Sequence, residues 1–287
     1  MQRTQPWLGT LVTVAIHGST AKAAPRLFDR VFAAIECVHG LMSFHDPTSD
    51  VSRMNRDAWR SPIRIHRQTF DVLRLARHIS TASEGVFDVT IAPLLVASGF
   101  LPAPDGAPRP DPAASWRDIS LRSDGRVQFR KPLWIDLGGI AKGYAVDAGL
   151  GAAHHPAGTS LSINAGGDLR VAGPQRAQAR LVVAACTAGD PPPVILANQA
   201  LASSQGLPVR RRQHKRWISP HWHGRTHRSV SPTRFVSVIA PRCAIADALT
   251  KVVLAQGRAA APLLARFAAH ALLHDGAQGW QRIGVRS

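Results

Sequence analysis

Three groups of residues in this chain have types and spacing that could do chemistry. The first is Asp136, Gly138, Gly139 and Lys142, in the run Trp134-Ile-Asp-Leu-Gly-Gly-Ile-Ala-Lys-Gly-Tyr-Ala-Val-Asp147. A glycine turn feeding a helix start offers free backbone N–H groups to an anion, and the lysine adds a positive charge. Such a corner holds a phosphate or pyrophosphate, although a plain strand–turn–helix corner carries the same signature. The second group is Asn164, Gly166, Gly167 and Asp168, where a glycine pair beside an acid suggests close backbone approach to something bound. The third is Asp247 and Thr250, at i and i+3 of a helix start, so both can face one ligand. Oxygen donors with a backbone carbonyl suit a hard cation such as Mg2+, which completes its shell with substrate phosphate oxygens. An acid in a first helical turn also complements the helix dipole, so capping and metal binding both stay open for Asp247. There is no Walker A motif and no Gly-x-Gly-x-x-Gly, and no Ser–His–Asp order can be singled out.

The elements that must position these residues follow from periodicity. Residues 8–16 alternate polar and apolar with β-branched side chains, which predicts a strand. Pro25 opens a helix carrying Leu27, Phe28, Val31, Phe32, Ile35 and Val38, expected to break near Gly40. After the Asp46-Pro47 turn, Thr48 or Ser49 is available as a cap for a short helix. Residues 69–83 are amphipathic and end at Gly85. Ser123-Asp-Gly125 signals a hairpin whose second strand runs into the Asp136 turn. Leu133, Trp134, Ile135 and Leu137 read as a buried strand end, with Gly138 and Gly139 free to take φ > 0. Residues 160–168 are a strand, 180–186 and the stretch from Ser203 are strands or loops, and 235–240 is a strand. Pro241 opens a helix to Leu254 stopped by Gly257, and a last helix from about 260 to 270 precedes a short tail. Strands and helices mix without strict βαβ regularity, so the fold expected is α+β rather than a doubly wound sheet.

A length of 287 residues allows one large domain or two smaller ones. The formal net charge of +17, mostly from arginine, favours polyanions, anionic lipid or phosphorylated ligands. The basic stretch 210–228, interleaved with Trp217 and Trp222, raises nucleic-acid binding, but no RNA- or DNA-binding module is visible and a solvated basic loop is the simpler reading. Cys37, Cys186 and Cys243 are odd in number and far apart, which argues against a disulfide framework or a zinc site. No signal peptide and no span of membrane length are visible. The expected location is cytoplasmic as written, or periplasmic or membrane-associated if translation starts further upstream.

The order of these segments resembles the ApbE-type FAD:protein FMN transferase family. The resemblance covers nearly the whole chain. It rests on Leu8-Gly-Thr10, Met42-Ser-Phe-His-Asp-Pro-Thr-Ser-Asp-Val-Ser-Arg-Met-Asn55, Phe87-Asp-Val-Thr-Ile-Ala-Pro93, Asp136-Leu-Gly-Gly-Ile-Ala-Lys-Gly-Tyr-Ala-Val-Asp147, Asn164-Ala-Gly-Gly-Asp168, and Ser237-Val-Ile-Ala-Pro241 with Ala246-Asp-Ala-Leu249. One such motif is weak, whereas six in family order are specific. The resemblance implies one α+β domain over 1–287, T-fold-like and two-lobed, with FAD in the cleft. It implies Mg2+ on the pyrophosphate, attack on the FMN phosphate by a Ser or Thr hydroxyl of an acceptor protein, and departure of AMP. The acceptor expected is a subunit of a redox membrane complex. Phosphoryl transfer of this kind needs positioning and charge neutralisation more than covalent help.

Carried over by motif, Asp247 and the carbonyl of Gly139 hold the metal with help from Thr250. Asp136 and Lys142 contact FAD, and Leu8, His45, Ala97, Ser98, Gly99 and Trp222 join them around the flavin. His221 is the expected general base, with His223 close behind, and Asp247 completes the catalytic pair. Several positions depart from the family pattern. Leu8 stands where Met is common and His45 where Tyr is. Ala97-Ser-Gly-Phe100 replaces Leu-Trp-Gly-Phe, so an aromatic wall is expected to be missing. Lys251 stands at i+4 from Asp247, where a metal-binding Thr often falls. His221-Trp-His-Gly-Arg-Thr-His227 replaces His-x-x-Asp-Pro-x-Thr-Gly. These departures leave two other readings open: an Mg2+-dependent FAD pyrophosphatase giving FMN and AMP, and an FAD-binding protein without catalysis.

Overall fold

A computed structural model describes residues 1–154, 157–183, 190–213, 216–276 and 279–284. Cys186, the end of the 180–186 stretch, and part of the basic run after Arg210 lie outside the described residues. In chain order the elements are β1 (Gln2–Trp7), β2 (Thr10–His17), α1 (Ala24–Met42), α2 (Asp50–Asp57), β3 (Ile63–Arg64), α3 (Arg67–Ala82), α4 (Ala92–Ala97), β4 (Ile119–Leu121), β5 (Arg126–Phe129) and α5 (Ala141–Ala153). There follow β6 (Ser160–Ala165), β7 (Asp168–Ala172), β8 (Ala177–Ala179), β9 (Val194–Leu196), β10 (Ala200–Gln205), β11 (Arg211–Gln213), β12 (Arg216–Ile218), β13 (Trp222–His223) and β14 (Arg228–Ser229). The chain closes with β15 (Phe235–Ala240), α6 (Cys243–Gln256), α7 (Ala261–Arg266), β16 (His270–Asp275) and β17 (Gly279–Ile283).

The β-branched alternation in β2 puts Val12, Val14 and Ile16 on one buried face, which is what a half-covered strand requires. This strand belongs to an eight-stranded sheet in the order β1-β2-β6-β7-β10-β15-β16-β17, with every neighbouring pair antiparallel. In β15 all six residues are buried, so both faces of the sheet are covered at its centre. On one face lies the main core, which runs from Val12 to Ile283 and includes α1, α5 and α6. On the other, Val171, Leu196, Leu201, Phe235, Ile239 and Leu272 form a smaller cluster under the β8–β9 pair. The result is the α+β architecture read from the sequence.

Helices α5 and α6 cross very closely. A Cβ on Gly143 would come within 2.3 Å of the Cys243 carbonyl oxygen, so only glycine fits there. The approach brings the Gly143 N–H to 3.1 Å from Asp247 Oδ2 and so joins the two helices through one carboxylate.

Four local expectations need correction. Helix α1 passes through Gly40 to Met42, because its buried apolar face continues from Val38 to Met42. The 134–137 segment is not a strand. Its backbone is satisfied by the Asn55 side chain and by the Val89 carbonyl, which accepts from the Asp136 N–H at 2.8 Å. Gly138 and Gly139 do not adopt positive φ, whereas Gly166 (60°) and Gly167 (103°) do, closing the two-residue β6–β7 hairpin. The last helix ends at Arg266, since Ala268 turns left-handed at φ 49°, and the chain continues as the β16–β17 hairpin instead of a tail.

Candidate active site

A cleft of about 970 Å3 opens where the β1–β2 turn, the end of α1, the 86–91 segment, the Asp136 turn, β13 and α6 converge. Of the residues named from the sequence, Leu8, His45, Asp136, Gly138, Gly139, Lys142, His221, Trp222 and Lys251 are among those that line it. Each is placed by a local device. Leu8 and Gly9 form the two-residue β1–β2 turn with φ of 56° and 71°, an uncommon conformation for leucine that delivers its side chain to the cleft. His45 sits in a loop pinned by Ser43, whose Oγ accepts from the N–H groups of His45 and Asp46, both at 3.2 Å. Ser49 caps α2, accepting from the Ser52 N–H, and its own hydroxyl donates to the Ser43 carbonyl at 2.6 Å.

At the Asp136 turn the backbone amides are largely consumed. The Gly138 N–H donates to Asp136 Oδ1, those of Ile140 and Ala141 donate to the Leu137 carbonyl, and that of Gly143 donates to Asp247. The turn is thus less of an amide cradle for anions than its glycines imply, and side chains supply the charge. Lys142 donates to Asp168 Oδ2 at 2.5 Å. Although burial opposes its charge, Asp168 and Asp247 raise its pKa, so it stays protonated. Asp168 is pushed up to about 6, first by burial and then by Asp247. Burial likewise raises the carboxyl of Asp136.

The second cleft cation is Lys251, one turn beyond Asp247 on α6. Its Nζ donates to Asp247 Oδ1, to the Asp247 carbonyl at 3.1 Å and to Ser204 Oγ at 3.1 Å. The Ser204 and Thr250 hydroxyls are 2.7 Å apart, and Thr250 Oγ1 donates to the Asp247 carbonyl at 2.6 Å. Asp247 and Thr250 are completely buried and lie behind Lys251 rather than on the cleft wall. Burial would raise the Asp247 carboxyl, but Lys142 and Lys251 outweigh it and hold it ionised, below its ordinary range. The divalent cation implied by the resemblance needs Asp247 and Thr250 as donors. Here one carboxylate oxygen is taken by an ammonium, the other by an amide, and the threonine hydroxyl by the helix backbone. As arranged, these side chains do not fit a divalent ion.

His221 Nε2 lies 3.4 Å from the Gln205 carbonyl, which can only accept, so this contact places the proton on Nε2 and leaves Nδ1 as the basic nitrogen. Burial and the nearby Lys251 lower its pKa to about 4, so the ring is neutral at physiological pH. His223 does not line the cleft, and its Nδ1 accepts from the Thr226 N–H. Ala97, Ser98 and Gly99 stand at the end of α4, off the wall, where the Gly99 carbonyl accepts from Arg211. Their neighbours Leu95, Phe100 and Leu101 line it instead. Phe87 and Phe100 with Trp222 therefore supply aromatic surface despite the missing tryptophan, and Arg211 stacks 5.2 Å from the Phe100 ring centroid. Asn164 and its glycine pair serve the hairpin. Asn164 Oδ1 accepts from the Gly167 N–H, and a Cβ on Gly166 would meet Thr10 at 2.6 Å. Sequence reasoning missed Arg211, Ser204, Phe87 and the role of Lys251. Lys251 carried a signal in its i+4 spacing from Asp247, and Phe87 in opening the Phe87–Pro93 motif.

Residues 8–273 match the model of the ApbE family. The chain belongs to that family. It is 29% identical over 150 residues to a FAD:protein FMN transferase of Vibrio cholerae, an alignment covering 50% of this chain and 45% of that protein. The match to that relative therefore spans less than half of its length. A FAD:protein FMN transferase of Chlamydia trachomatis is 27% identical over 255 residues, covering 82% of this chain and 76% of its own. The crystal structure of the ApbE protein of Thermotoga maritima superposes with a TM-score of 0.82 at 22% identity, covering 99% of this chain and 96% of that one. The family's fold thus accounts for the large sheet and its flanking helices. Among the described residues, no helix is long and apolar enough to cross a membrane.

Proposed function

We propose that this chain is a FAD:protein FMN transferase, moving FMN from FAD to a Ser or Thr hydroxyl of an acceptor protein as a phosphoester and releasing AMP. The observation that carries the reading is the cleft itself, where Lys142, Lys251 and the neutral His221 face the same space as Phe87, Phe100 and Trp222. The aromatic and apolar wall suits a flavin ring system. The two ammonium groups suit the pyrophosphate, whose charge must be offset as transfer proceeds. In the proposed step the acceptor hydroxyl gives its proton to His221 Nδ1. Its oxygen bonds to the FMN phosphorus, the bond from that phosphorus to the bridging oxygen breaks, and the electron pair leaves with AMP. The acceptor we propose is a subunit of a redox membrane complex.

The test is incubation with FAD and a peptide carrying the acceptor threonine, followed by mass spectrometry and AMP assay. A mass gain of one FMN with matching AMP is expected. AMP and free FMN without any acceptor would instead indicate a pyrophosphatase. FAD bound with no AMP in either case would indicate a holder of flavin.

A further inference from the structure

We infer that the Lys251 ammonium takes the place of the divalent cation in this cleft, so that FAD binds here without Mg2+. The inference rests on the flavin-transfer reading only for the identity of the nucleotide, because the cation position is read from the protein alone.

An ammonium has three N–H donors and no acceptor. Lys251 Nζ has three oxygen partners, namely Asp247 Oδ1, the Asp247 carbonyl and Ser204 Oγ. These are a carboxylate, a carbonyl and a hydroxyl, the oxygen donors from which a hard-cation site is built. The hydroxyls behind them close a directed ring. Thr250 spends its proton on the Asp247 carbonyl, so Ser204 donates to Thr250 and its lone pair is left for Lys251. Every N–H and O–H in the ring is spent on an oxygen, and both Asp247 carboxylate oxygens already accept from the protein.

The lysine stem also packs beside the glycine turn. A Cβ on Gly139 would lie 3.5 Å from Lys251 Cε and 3.5 Å from the Phe87 ring, so the lysine stem runs along the glycine turn into the site. The Lys251 side chain is only 16% exposed and its carboxylate partner 0%. Admitting a divalent ion at Asp247 would require expelling Lys251 or holding two cations at contact distance with little water between them, and repulsion there is strong. The i+4 spacing makes the substitution self-contained, because one helix face supplies both the carboxylate and its counter-charge. A +1 group in place of a +2 ion also leaves Lys142 and Arg211 a larger share of the pyrophosphate charge to offset.

The test uses the whole protein, wild type and Lys251→Thr, with two readouts. Mn2+ binding is followed by the loss of the free-ion EPR signal, without flavin. FAD binding is followed by fluorescence in EDTA and in millimolar Mg2+. We expect no stoichiometric Mn2+ uptake by the wild type and FAD affinities in the two buffers that agree within about twofold. In Lys251→Thr the freed oxygens should bind Mn2+, and Mg2+ should tighten FAD binding by about tenfold or more. Stoichiometric Mn2+ uptake by the wild type, or a tenfold Mg2+ effect on its FAD affinity, would overturn the inference. So would a folded Lys251→Thr protein that binds no Mn2+. If that variant does not fold, the wild-type measurements decide alone. If FAD binds the wild type in neither buffer, the flavin reading falls, while the Mn2+ comparison still judges Lys251.

Discussion

The Asn55 side chain serves as a strand for Ile135. Its Nδ2 donates to the Ile135 carbonyl at 3.1 Å and its Oδ1 accepts the Ile135 N–H at 2.8 Å, with both residues buried. One amide side chain thereby satisfies both backbone polar groups of a residue that has no sheet neighbour, and it sets the position of Asp136 next along the chain. Asn55→Ala leaves both groups buried without partners and should cost about 1–3 kcal/mol in urea unfolding. FAD affinity should fall as well, because the Asp136 turn loses its anchor. Unchanged stability would mean that water replaces the amide.

Two glycines of α5 make opposite predictions. Gly143→Ala drives a methyl against the backbone of α6 and should destabilise by about 1–3 kcal/mol or more. Gly151→Ala meets nothing within 4 Å and should stabilise by about 0.5–1 kcal/mol through helix propensity. Thermal unfolding of the two variants beside the wild type reads both effects.

His221 predicts a pH dependence of stability with a definite sign. Its folded pKa of about 4 lies below its ordinary 6.5, so between those values the unfolded chain binds more protons than the folded one. The stability this histidine contributes is fully present above pH 6.5 and is lost as pH falls toward 4. Urea midpoints across that window should slope less in His221→Gln than in the wild type. The same variant should lower FMN transfer by about 100-fold or more while FAD affinity changes little. Equal loss of affinity and rate would make His221 a binding residue instead.

Lys142 holds the fully buried Asp168, whose other oxygen, Oδ1, has no partner among the described residues. Lys142→Gln should therefore weaken FAD binding and also destabilise the fold. Lys142→Gln with Asp168→Asn should recover stability but not affinity. Denaturation and flavin titration on the single and double variants separate the two effects.

The strongly periodic stretches were legible in the sequence. The strand β2 follows from alternation and the helix α3 from 3–4 spacing, while α6 is bounded by its opening proline and by Gly257. The 134–137 segment was not legible, because its partner is a side chain 80 residues away and no local pattern records it. The alanine-rich run after Ala260 looks helical throughout, and only the left-handed turn at Ala268 reveals the edge hairpin beyond it. In the site, the motifs located the cleft walls at Leu8, His45, Asp136, Lys142 and His221. They could not show that Asp247 and Thr250 lie one layer back, since helical spacing fixes the face of a helix but not what covers it.

Lys251 reaches the cleft on a covalent stem and rests on three oxygens of its own chain. Its positive charge therefore appears with every copy the ribosome makes, at a fixed stoichiometry of one and with no dissociation constant. The cleft acquires that part of its electrostatic character by folding, whatever the ionic composition of the compartment in which the protein works.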